Sequence, residues 1–199
     1  MKKILILLSI VLLSGCATTK PSITEYRVVA KTSKAQSVVN GCKEKSLKIA
    51  QAFSSSSLMS LKMDYVQEES KIFSYSQAHW NESPNHSVTM EILKNIRDSK
   101  LFKNVQISRS RSKNSLVLET NIEDFLQYYS EGLKDSFAKV IISLTLIDSK
   151  TNSVVATKTF NSKVNTNTLD AEGGVEALNK ALSDILTQNI EWLNGVCSD

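Results

Sequence analysis

Between Phe137 and Ile147 the chain alternates without a break, with Ala138, Val140, Ile142, Leu144 and Leu146 on one parity. Side chains two apart share one face of a strand, so this segment predicts a central β-strand with one face in a core. Leu116, Leu118 and Ile122 repeat the pattern over 116–122, and Val105-Gln106-Ile107 gives a shorter strand. After the turn residues Asp148-Ser149-Lys150-Thr151-Asn152, the run Val154 to Phe160 reads as the return arm of a hairpin. Earlier strands are expected at Tyr26-Arg27-Val28-Val29-Ala30, Leu47-Lys48-Ile49-Ala50 and Ile72-Phe73-Ser74-Tyr75. The serine run Ser54 to Ser57 reads as a loop.

Two stretches change period. Val88, Ile92 and Ile96 stand four apart with Leu93 beside them, while Glu91, Lys94, Arg97 and Asp98 are expected to face water. Ser83-Pro84 supplies the start signal for this helix, Ser83 as a cap and Pro84 in the first turn, and the helix should run to about Lys100. A second amphipathic helix, from about Leu169 to Leu193, carries Ala171, Val175, Leu178, Leu182 and Ile185. The prediction is one α+β domain over 26–199: a mostly antiparallel sheet with both helices packed on one face.

The N-terminus follows a different logic. Met1-Lys2-Lys3 is basic and Ile4 to Leu13 is almost wholly apolar, but the run stops short of the roughly 20 residues that span a bilayer. Segment 1–15 therefore reads as a cleaved signal peptide. Leu13-Ser14-Gly15-Cys16 resembles the lipobox of bacterial lipoproteins, in which the cysteine thiol receives diacylglycerol. Cys16 is then the lipidation site and 16–25 a lipidated linker, rich in small and polar residues and reaching at most ~30 Å. Three acyl chains make such an anchor effectively permanent. Ala17 follows the anchor, where enteric sorting reads an Asp as inner-membrane retention, so the periplasmic face of the outer membrane is favoured over the inner membrane.

Loss of Lys2 and Lys3 leaves 22 basic against 20 acidic residues, so the mature chain is nearly neutral. No basic stripe interleaves with aromatics, and nucleic acid is not an expected partner. Once Cys16 is acylated, Cys42 and Cys197 remain in an oxidising compartment and are expected to form a disulfide. His79 and His86 lack metal-binding spacing, nucleophile-elbow and phosphate-loop motifs are absent, and no metal or cofactor is implied. The expectation is a non-catalytic protein. Glu123-Asp124 and Glu68-Glu69 read as solvated charge. Phe125, Tyr128 and Tyr129, placed just beyond the strand ending at Ile122, are candidates for a partner interface or for rim packing. Leu58 and Met59, with Leu61 and Met63, are candidates for a soft apolar contact surface, core packing being the plainer account.

From Tyr26 to Trp192 the order of elements resembles the ABC-type transport auxiliary lipoproteins. The resemblance lies in the strand at Tyr26, in Met63-Asp64-Tyr65, and in Tyr75 followed by His79-Trp80-Asn81-Glu82-Ser83-Pro84 leading into a helix. It continues through Leu116 to Phe125, Ala138 to Asp148, Val154 to Phe160 and the closing helix. Members of that family accompany transporters with mammalian-cell-entry domains, which move phospholipid between envelope membranes. The resemblance implies a bilayer contact through Cys16 and a mammalian-cell-entry protein as partner, and leaves a homo-oligomer open. The competing reading is a lipoprotein that assists another outer-membrane machine, a secretion channel or a lipopolysaccharide exporter.

Overall fold

The computed structural model describes residues 21–31 and 40–198; the segment 1–15 read as a signal peptide and the lipidation candidate Cys16 lie outside them. Nine strands and two α-helices are found among the described residues. In chain order they are β1 (Thr24–Tyr26), β2 (Ser46–Ile49), β3 (Phe53–Ser54), β4 (Lys62–Gln67), β5 (Lys71–Trp80), α1 (Pro84–Ser99) and β6 (Asn104–Ile107). The second half comprises β7 (Leu116–Tyr129), β8 (Ser136–Asp148), β9 (Val154–Asn165) and α2 (Ala171–Val196).

The sheet is organised around β7. Along one edge it pairs with β8 over its whole length, antiparallel, and β8 continues antiparallel into β9. Along the other edge three short strands dock in succession, all parallel: β2 on Leu116–Leu118, β3 on Asn121–Ile122 and β4 on Gln127–Tyr129. β6 then joins β2, while β5 and β1 extend the sheet beyond β4. The long ladders are antiparallel, as the alternation implied, but the sheet as a whole is mixed.

A bulge divides β7. Ile122 opposes Ile142 and Asp124 opposes Ile141, so β7 carries one residue more than β8 at this point. One extra residue exchanges the two faces of a strand. Leu116, Leu118, Thr120 and Ile122 face the helices before it, whereas Phe125, Gln127 and Tyr129 are the buried positions after it.

α1 and α2 contact each other and cover the same face of the sheet, with Ile92, Ile96, Leu182 and Ile185 against Leu118, Ile142, Leu144 and Leu146 in one continuous core. Several local expectations are corrected here. Arg27 to Ala30 is not strand: the amides of Val29, Ala30 and Lys31 donate to Asn179, Glu91 and Ser183, which draws this segment off the sheet and onto the helices. Glu91 is accordingly half-buried rather than solvated. Ser83 makes no side-chain cap; its carbonyl accepts from the amides of His86 and Ser87 instead. In α2 the cap is Asp170, whose carboxylate accepts from the Gly173 amide at 2.9 Å.

Candidate functional site

The aromatic trio proposed from the sequence lies inside β7, not beyond its end, and the sheet separates its members. Phe125 is 1% exposed and packs on Trp80, with ring centroids 6.0 Å apart, so it presents no surface. Tyr129 is buried on the same face. Tyr128 points the other way, stacks on Phe137 at 5.3 Å and lies near Lys139, while Lys163 sits over the Phe137 ring. Of the apolar pair, Leu58 is buried and Met59 is 54% exposed, because the 3-10 turn Ser56–Met59 that carries both sends successive side chains inward and outward.

The carboxylates divide similarly. Glu123 is exposed at the bulge, whereas Asp124 is buried, contrary to its reading as solvated charge. Its Oδ2 accepts from the Tyr128 hydroxyl at 2.7 Å and pairs with Lys139 Nζ at 3.2 Å; its Oδ1 has no partner. Burial, then the hydrogen bond to Asp124, push the Tyr128 phenol well above its ordinary range.

On the helix face of β4, β5 and β7, Tyr65, Phe73, Tyr75 and Tyr129 form one aromatic cluster, with centroids 4.5 to 5.7 Å from Tyr65. Its polar centre is Gln127. The Tyr75 hydroxyl donates to Gln127 Oε1 at 2.8 Å and lies 2.6 Å from the Tyr129 hydroxyl, while Gln127 Nε2 donates to Ser136 Oγ. Burial raises the Tyr75 phenol far above its usual value. Gly174, in the first turn of α2, leaves room for this network.

Next to the cluster a cleft of about 280 Å³ opens between the sheet and the start of α2. Tyr26, Tyr75 and Gln77 line its strand side, and Asp170 and Glu172 its helix side. Sequence reasoning missed it, since Tyr26 and Asp170 meet only in the folded chain.

Cys42 and Cys197 are bonded, with Cα atoms 5.3 Å apart and both side chains buried. Among the described residues no group of His, Cys, Asp and Glu could hold a metal ion, and no helix is long and apolar enough to cross a membrane. His86, in the first turn of α1, instead faces Glu82, which precedes the helix, at 3.2 Å. Apolar exposure is conspicuous at the far end of the β4–β5 hairpin, where Ile72 is 63% exposed beside Phe73.

No family model matches the chain, and no curated protein does. Solved structures share its architecture. The DUF330 protein XCC0632 from Xanthomonas campestris superposes with a TM-score of 0.79 at 16% identity, over 88% of this chain and 97% of that one. An uncharacterised protein superposes at 0.68 and 11% identity, over 87% of this chain and 99% of the other. Lipoprotein GNA1162 from Neisseria meningitidis overlaps more loosely, with a TM-score of 0.43 and 10% identity over 76% and 99% of the two chains. At such identities the likeness is one of fold: a single α+β domain with a large mixed sheet and two helices.

Proposed function

We propose that this chain is a lipid-anchored, non-catalytic accessory subunit of an ABC transport system with a mammalian-cell-entry protein, of the kind to which paraquat-inducible protein C belongs, working from the periplasmic face of the outer membrane. The observation that carries the reading is the order of parts. A lipobox ends at Cys16 and β1 begins at Thr24, so a lipidated chain would hold this α+β domain within a short reach of the bilayer. The DUF330 fold likeness supports the same class of domain. A bridge of this kind needs an anchored end and a partner-binding end.

The test replaces the first sixteen residues with an ordinary secretion signal, releasing the domain into the periplasm. It should fold, since the described core starts at Val28, and should retain a mammalian-cell-entry protein in a pull-down. It should nevertheless fail to restore envelope integrity in a deletion strain, because the acyl chains supply an attachment that protein contacts alone would have to replace. Full complementation by the released form would sink the bridge. Absence of the transport partner from the pull-down would favour an assembly factor for a secretion channel or lipopolysaccharide exporter.

A further inference from the structure

The cleft beside α2 has a chemical character of its own. Two carboxylates, Asp170 and Glu172, stand on its helix side, two phenols, Tyr26 and Tyr75, on its strand side, and no lysine or arginine contributes to the lining. Asp170 is ionised at neutral pH: the Gly173 amide, and then the Thr168 hydroxyl at 2.7 Å, hold its carboxyl below the usual carboxylate range. The field of these acids crosses the cleft. After burial, Glu172 and Asp170 are what raise the Tyr26 phenol, and Asp170 also acts on Tyr75.

Much of this equipment is not used by the fold. Asp170 caps α2, but among the described residues the Glu172 carboxylate makes no hydrogen bond or ion pair, and the Tyr26 hydroxyl makes no hydrogen bond. The positive end of α2 does not reverse the sign, since a helix N-terminus is worth about half a unit charge against two full negative ones. An anion is therefore repelled. A neutral apolar guest would bury the carboxylates without compensation. A cation with an organic body meets both features at once: carboxylates for its charge and aromatic rings for its substituents. A volume of about 280 Å³ suits a group of the size of choline or ethanolamine.

We infer that this cleft binds an organic ammonium group, primary or quaternary, carried by a small soluble amine or by a lipid headgroup. The assignment stands apart from the transport reading, and neither falls with the other.

The experiment titrates the lipidated full chain, in non-ionic detergent, with choline, with ethanolamine and with 3,3-dimethylbutan-1-ol, the uncharged isostere of choline, following binding by calorimetry or saturation-transfer NMR. Choline or ethanolamine should bind saturably, added salt should weaken the binding, and the isostere should not bind. Glu172→Gln and Tyr26→Leu should each weaken it about 5-fold or more. Glu172 is exposed in the first turn of α2, so its variant should stay folded and melt within a few degrees of the wild type. No saturable binding of either amine below about 50 mM, equal binding of the isostere, or full affinity in Glu172→Gln would each overturn the inference. Competition then separates the sources. Displacement of bound choline by phosphatidylcholine, and not by phosphatidylglycerol, each added as mixed micelles in the same detergent, assigns a headgroup; amine binding that neither lipid displaces assigns a soluble amine.

Discussion

Gly41 lies so close to the end of α2 that a β-carbon on it would fall 1.5 Å from the carbonyl oxygen of Cys197. The neighbouring Cys42 is thereby brought into bonding range of Cys197 across a sequence separation of 155 residues. Cross-linking so long a loop removes much of the freedom of the unfolded chain, so Cys42→Ser should lower the unfolding free energy by about 2–4 kcal/mol in urea titrations. Gly41→Ala should force the two segments apart and leave thiols that label in denaturant without reductant. Full labelling of both cysteines in the unaltered protein would show that the bond does not form.

Gly174 is the second place where a side chain cannot be accommodated. A β-carbon there would lie 1.9 Å from Gln127 Oε1, the acceptor of the Tyr75 hydroxyl. Gln127 is buried and held by Ser136, so it cannot swing aside without losing its bonds. Gly174→Ala should destabilise the fold by about 1–3 kcal/mol. In the background of Gln127→Ala the same change should cost much less, which a double-mutant cycle measures; equal costs in both backgrounds would mean that the strain lies elsewhere.

The third expectation concerns Asp124 and Lys139. With Oδ1 already unpartnered, Asp124 depends on Lys139 and Tyr128 for compensation. Removing one member of a fully buried pair costs about 3–5 kcal/mol, and Lys139 is partly exposed, so Lys139→Met should cost about 1–3 kcal/mol. Neutralising the other partner as well, with Asp124→Asn, should recover part of that loss. Additive losses in the two single variants would show that the pair is not coupled.

A pH dependence follows from the cap of α2. The folded pKa of Asp170 is depressed below 3.8, so its contribution is fully present above that value and is lost as pH falls through the folded value. Asp170→Ala should lower stability by about 1 kcal/mol at neutral pH. The gap between the two proteins should close on acidification below 3.8. A gap that persists at the acid end would assign the effect to packing instead.

What was legible in the sequence was whatever repeats locally. β8 and both helices announce themselves because each buries one unbroken stripe. The second half of β7 did not, since the extra residue at Glu123 moves the apolar positions from even to odd and makes Phe125, Tyr128 and Tyr129 look like a loop cluster. β5 was read only to Tyr75 because Ser74, Ser76 and Gln77 are exposed on this outer part of the sheet and show no alternation. The parallel docking of β2, β3 and β4 leaves no local trace, because it depends on which distant strand each one meets. The cap at Asp170 was open to inspection, as an acidic residue immediately before an apolar helical stripe. The cleft was not, because it joins the first strand to the last helix.

The arrangement around β7 has a consequence for the order of events during folding. β3 has no sheet partner among the described residues except β7, and β2 and β4 each complete their pairing there. A chain emerging from its N-terminus must therefore carry these segments with open hydrogen-bonding edges until residues 116–129 exist. The β7–β8–β9 meander, by contrast, closes through short turns at small entropic cost and should form first, acting as the template onto which the earlier half is laid. The interval before that template is complete is when the chain is most exposed to pairing with a neighbour instead of with itself.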